Sequence, residues 1–220
     1  MKVKAFVRSS LTQLLLSLAL HAAAGDSAAA PGDPQAGREK AAVCAACHGI
    51  DGNSIVPQWP KLAGLSAEYI ARQTAMIRDE QRQVVEMLGI VIGLSDSDIA
   101  DIAAWYASQP RQPGTADPNS VTLGRTVYHF GRPEAGVPAC AGCHGPYGGG
   151  NPPAGYPALA GQHAAYLQSR LERYRAGQIN GGGDVHSPQM ALAAKSLDNR
   201  DIAAVANYLQ GLHAAEAAAR

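Results

Sequence analysis

Apolar side chains recur three and four residues apart along most of the chain, and no stretch alternates apolar and polar residues over a strand's length. That spacing is the signature of helices with one buried stripe. It predicts helices over 36–47 and 120–130, and again over 66–80 and 163–176. Two more begin at Ser95 and Asp198, whose side chains can accept hydrogen bonds from the unpaired N–H groups of a first turn. They carry Ile99, Ile102, Ala103 and Tyr106 on one stripe, or Ile202, Val205, Tyr208 and Leu209. The segments ahead of them are rich in turn formers and read as loops. The expected fold class is all-α.

A different apolar pattern opens the chain. Lys2, Lys4 and Arg8 precede a run from Leu11 to Leu20, and Ala22-Ala-Ala24 follows. This order predicts a signal peptide over residues 1–24, cleaved near Ala24. The run is about half the ~20 residues that a bilayer span needs. The expected location is the periplasm, with no transmembrane span in the mature chain.

The remaining pattern occurs twice. Cys44-Ala-Ala-Cys47-His48-Gly49 returns as Cys140-Ala-Gly-Cys143-His144-Gly145, and Pro60-Lys-Leu-Ala-Gly64 as Pro157-Ala-Leu-Ala-Gly161. Tyr69 answers to Tyr166, and the helix from Leu94 to that from Leu197. The offset is 96 or 97 residues until the last block, where it is 103, so six extra residues belong near Gly181-Gly-Gly183. Repeats of this length predict two homologous domains. We set them at 25–112 and 120–220, with 113–119 as linker within a Pro- and Gly-rich stretch.

Composition sharpens the picture. Of 220 residues 46% are apolar but only 5% aromatic, which is little material for two separate cores unless something else fills them. Eighteen basic against eighteen acidic residues exclude the excess positive charge of a nucleic-acid binder. The balance is uneven, at −4 over 25–115 and +1 over 116–220. Asp96, Asp98 and Asp101 cluster in the first repeat, and Arg170, Arg173 and Arg175 in the second. Such patches could steer two partners to opposite ends of the molecule.

Cys-x-x-Cys-His is the attachment signature of c-type haem. Two thiols add to the two vinyl groups, and the adjoining imidazole faces the iron. A haem in each repeat would also supply the missing apolar bulk. A zinc site built from all four cysteines would bring its pairs closer than the 92 residues that separate Cys47 from Cys140. Disulfides would leave His48 and His144 unexplained. The expected cofactors are two covalent haem c groups, on Cys44 and Cys47 and on Cys140 and Cys143.

For the second axial position, the mature first repeat offers no histidine besides His48, which leaves Met76 and Met87. Met76 maps onto Arg173. Met87 maps onto Met190, and each stands seven residues before the leucine of its last helix. The repeat therefore nominates His48 with Met87 and His144 with Met190 as iron ligands. His129, His163, His186 and His213 compete in the second repeat, His186 most closely. A histidine–thioether pair fills both axial positions and favours electron transfer over catalysis. Pro60 and Pro157 could each offer a carbonyl to the ligating imidazole.

These motifs, with Val84-Val-Glu-Met87-Leu-Gly89, Gly161-Gln-His-Ala-Ala-Tyr166, Met190-Ala-Leu-Ala-Ala-Lys-Ser-Leu197 and Asp201-Ile-Ala-Ala-Val205, resemble the dihaem cytochrome c4 family over residues 35–213. The resemblance implies tandem class I cytochrome c domains about a pseudo-twofold axis, with haem edges close and propionates near the interface. It implies the same four iron ligands. It also implies a non-enzymatic periplasmic carrier between a respiratory donor and a terminal oxidase or similar acceptor, with peripheral membrane association left open. Leu65 departs from the family, which often has Gln there, as this chain does at Gln162. The rival readings are a cytochrome subunit of a sulfide- or alcohol-oxidising periplasmic dehydrogenase, and a dihaem peroxidase, against which the matched methionines argue.

Overall fold

The computed structural model describes residues 31–213, so the expected signal peptide lies outside it. The first repeat folds as α1 (Pro34–Lys40), a 3-10 turn, α2 (Ala45–His48), α3 (Ala67–Arg78), α4 (Val85–Val91) and α5 (Asp96–Ala107). The second folds as α6 (Pro118–Phe130), α7 (Ala141–His144), α8 (Ala164–Arg175), α9 (His186–Ala194) and α10 (Asn199–Gly211). Among the described residues there is no strand, only two isolated bridges, Arg132 with Val137 and Asn151 with Tyr156. The all-α expectation holds, and among these residues no helix is long and apolar enough to cross a membrane.

Polar caps set the helix starts. Ser95 accepts from the Asp98 amide while the Asp98 carboxylate returns to the Ser95 amide, a reciprocal capping box. Asp33, Ser66, Asp117 and Asp198 cap α1, α3, α6 and α10 in the same sense. Three expectations need correction. The single helix over 36–47 breaks at Ala41–Val43 into a 3-10 turn, which swings the Cys-x-x-Cys-His segment onto its own helix. Helix α6 starts at Pro118, two residues ahead of the expected 120, because proline suits a first helical turn. Finally, the methionine-bearing loops are helices, α4 and α9. Pro188 is no obstacle there, since it falls in the first turn of α9, where amides have no helical acceptor.

First and last helices cross tightly in each repeat, and glycine makes the crossing possible. A Cβ on Gly37 would meet Asp101 and the Trp105 Cβ, and one on Gly124 would meet Ala204 and the Tyr208 Cβ. Asp101 and Trp105 lie 103 residues before Ala204 and Tyr208, so the two crossings are equivalent. The glycines are offset by 87 residues and the cysteines by 96, so nine residues are inserted between Gly124 and Cys140. They form the turn that carries the Arg132 bridge, and Arg132 pairs with the buried Asp201 of α10.

The duplicated cores are filled differently. Ala41 and Tyr106 stand where the second repeat has Tyr128 and Leu209, and all four are buried. Each repeat therefore places one tyrosine beside its first cysteine, but from opposite helices. The Tyr128 hydroxyl donates to the Gly145 carbonyl, whereas the Tyr106 hydroxyl has no partner in the protein.

The repeats pack directly on each other. The Gln162 amide accepts from the Lys61 N–H (2.8 Å) and donates to the Lys61 carbonyl (2.9 Å), and all of this is buried. His163 bonds the Ser54 carbonyl at 2.7 Å, and Arg82 donates to the Tyr166 hydroxyl at 3.3 Å.

Candidate cofactor sites

In both repeats Cys-x-x-Cys-His occupies one helical turn. Residues three and four apart share a helix face, so both thiols and the imidazole of each motif point the same way. Gly49 (φ +81°) and Gly145 (φ +77°) then stop the helix in a backbone conformation that other residues rarely adopt. All four cysteines are free rather than joined in disulfides. Burial raises the Cys44 thiol pKa and pushes that of Cys140 up to about 11. Among the described residues no three His, Cys, Asp or Glu side chains gather as a metal-binding group, so the two cysteine pairs do not combine into one zinc site.

Both histidines are buried and held by one ring nitrogen. His48 Nδ1 bonds the Pro60 carbonyl at 2.8 Å, and His144 Nδ1 bonds the Pro157 carbonyl at 2.9 Å, the role expected of these prolines. A carbonyl can only accept, so Nδ1 carries the proton and Nε2 keeps a free lone pair. Burial lowers both histidine pKa values, which keeps the rings neutral and able to ligate a metal. His144 Nε2 is buried with no partner in the protein. Such an orphan costs free energy unless another group takes it, and an iron atom would.

His144 lines a largely apolar cleft. Cys140, Cys143, His144 and Met190 all line it, so the structure brings the four candidate residues of the second repeat together. His186 lies in the same cleft, with its Nδ1 buried and unpartnered and its ring edge-on to Tyr156 at 5.4 Å. The other competitors are engaged or remote. His129 bonds the Tyr208 hydroxyl, His163 the Ser54 carbonyl, and His213 is exposed. In the first repeat Met87 sits half-buried on α4, while Met76 is on α3 with its sulfur accepting from Gln73.

Sequence reasoning missed that the cleft is shared. Tyr69, Arg72 and Gln73 of α3 close it from the first repeat. Arg72 Nε is buried without a protein partner, a donor suited to the carboxylates a haem carries. The family resemblance placed the haem edges near the interface, and Tyr69 and Tyr166 repeat, but neither named the residues that close the cleft.

The two charge clusters are engaged differently. Lys40 pairs with Asp98 (2.8 Å) and Asp101 (2.6 Å), and Arg78 with Asp96 (2.7 Å). Arg170 lies over the Tyr174 ring, and Arg175 donates to the Leu197 carbonyl. The three aspartates are thus paired within their own domain, while these arginine contacts leave the positive charge in place.

Two helical domains, each presenting a cysteine pair and a lone-pair-bearing histidine on one turn, define a tandem c-type cytochrome. The family model "Cytochrome c" matches residues 35–110 and again 121–213. Cytochrome c4 of Pseudomonas aeruginosa is 48% identical, over 92% of this chain and all of that protein. The crystal structure of reduced recombinant cytochrome c4 from Pseudomonas stutzeri superposes with a TM-score of 0.77 at 44% identity, covering 83% of this chain and all of that one. A thiosulfate dehydrogenase electron acceptor of Thiomonas intermedia is 33% identical, over 70% of this chain and 72% of that protein. The chain belongs to the dihaem cytochrome c4 family. It is an electron-transfer protein that binds two covalent haem c groups. When bound, each group supplies a one-electron change at its iron, and the protein's part is to hold, orient and enclose it.

Proposed function

We propose that this cytochrome is a periplasmic carrier that takes electrons from a respiratory donor and delivers them toward a terminal oxidase. The domains are 25–112 and 120–220, joined by 113–119, with haem on Cys44 and Cys47 and on Cys140 and Cys143. The axial pairs are His48 with Met87 and His144 with Met190. One observation carries the ligand reading: His144 Nε2 is an unpartnered lone pair in the cleft that Met190 also lines. The 103-residue offset extends it to Met87. The likeness to a thiosulfate dehydrogenase electron acceptor favours a second reading, in which a sulfur-oxidising dehydrogenase is the donor and holds the cytochrome as a subunit.

Single substitutions test the ligands. Met87→Ala and Met190→Ala should each keep a haem-to-protein ratio of two. Each should lose half of the methionine-to-iron charge-transfer band and lower one potential by on the order of 100 mV. A Met87→Ala protein with the full band, beside a Met76→Ala protein with half of it, would overturn the assignment. Co-purification of the native protein with a dehydrogenase would replace the free carrier with the second reading.

A further inference from the structure

One side chain just ahead of the linker reaches into both repeats. Arg111 Nε donates to the Ala63 carbonyl at 2.7 Å, and its Nη1 donates to the carbonyls of Ala158 (3.3 Å) and Ala160 (3.1 Å). These acceptors lie in Pro60–Gly64 and Pro157–Gly161, the two loops whose prolines hold His48 and His144. Apart from the Gln162 grip on the Lys61 backbone, each loop is fastened within its own repeat. Leu62 and Ala63 donate to the Gly52 carbonyl, and Leu159 and Ala160 to that of Gly148. Gly64 (φ +65°) and Gly161 (φ +73°) flank the arginine stem, with no side chain to push it away.

The sequence asymmetry at this point explains why an arginine is needed. On one side of the pseudo-twofold, Gln162 grips the Lys61 backbone. The symmetric grip would run from position 65 to Ala158, but position 65 is a buried leucine with no amide to offer. Arg111 takes the Ala158 carbonyl instead. The backbone around it is fixed as well, since Asn53 binds both the Pro110 carbonyl and the Gln112 amide.

We infer that Arg111 is a positioning residue for both haem sites at once: its guanidinium ties the loop that holds His48 to the loop that holds His144, so neither imidazole shifts independently. The inference rests on the ligand reading above. Burial draws the arginine pKa down to about 10, which still leaves it charged at neutral pH. A fixed positive charge beside both loops also favours the reduced irons, because reduction removes one positive charge from each site.

The test uses the holoprotein carrying Arg111→Met or Arg111→Lys. In Arg111→Met, exchange of the Nδ1 protons of both His48 and His144, followed by NMR in the reduced state, should quicken at least tenfold. Both potentials should fall together. Arg111→Lys keeps the charge but not the three-carbonyl fork, so it should restore the potentials and leave exchange fast at both histidines. A change confined to one haem, or absent from both, overturns the strap. If Arg111→Met fails to take up two haems, Arg111→Lys decides alone: faster exchange at both rings supports the inference, and wild-type exchange at either refutes it. Failure of the ligand reading is visible separately. A histidine that does not bind iron would lack haem-shifted ring protons in the wild-type protein.

Discussion

Gly37→Ala should destabilise the first domain although it adds only one methyl group. The new Cβ would lie 2.5 Å from the Asp101 carbonyl carbon and 3.0 Å from the Trp105 Cβ, where ordinary contact begins at 3.4 Å. The obstacle is helix backbone, so it cannot rotate aside. Helices α1 and α5 must separate, and that also strains the bonds from Lys40 and the Asp33 amide to the Asp101 carboxylate. Overpacking of this kind costs about 1–3 kcal/mol, with backbone obstacles at the upper end. Alanine returns roughly 0.5–1 kcal/mol through helix propensity. The net loss is then about 2 kcal/mol, or roughly 8–16 °C in the melting temperature of a domain this small. Trp59 and Trp105 are the molecule's two tryptophans and both lie in the first domain, so their fluorescence reports its unfolding alone. Gly89→Ala is the matched control, in helix α4 with no atom within 4 Å of the added methyl. It should melt at or slightly above the wild-type temperature. If Gly37→Ala melts with Gly89→Ala, the tight crossing is not what glycine serves at position 37.

Two further outcomes follow from the same geometry. Hydrogen bonds from Lys40 and Ser95 hold the Asp98 pKa near 2, below the ordinary carboxylate value. The stability this contributes is therefore present above about pH 4 and is lost as pH falls toward 2. Lys40→Met should shift acid unfolding of the first domain upward in pH, and an unchanged acid midpoint would show that the pair contributes nothing there. Replacing Cys44 and Cys47 by alanine together should leave the first domain largely unfolded by circular dichroism and open to protease, while the second keeps its haem. The reason is that cofactor binding stabilises only the folded form. A double variant that stays helical and protease-resistant would show that the small core around Ile70, Ile102 and Tyr106 suffices by itself.

Several features were legible in the chain because they are local or repeated. Helix periodicity, the caps at Ser95 and Asp198, and the one-turn grouping of Cys-x-x-Cys-His depend on neighbours three or four residues away. The duplication then aligned Met87 with Met190 and Pro60 with Pro157 without any coordinates. Other features were settled only by how distant segments meet. The helices α4 and α9 escaped notice because β-branched residues, Gly89 and Pro188 weaken their propensity, and packing overrides propensity in short elements. Tyr106 already faced Leu209 in the aligned last helices, but its counterpart, Tyr128 in place of Ala41, was hidden by the nine-residue insertion that follows Gly124. The ion pairs that absorb Asp96, Asp98 and Asp101 span 18 to 61 residues of sequence. The closing of the second cleft by Arg72 and the reach of Arg111 into both loops have no sequence pattern at all. They come from two similar surfaces pressed together, where a side chain of one repeat meets backbone of the other.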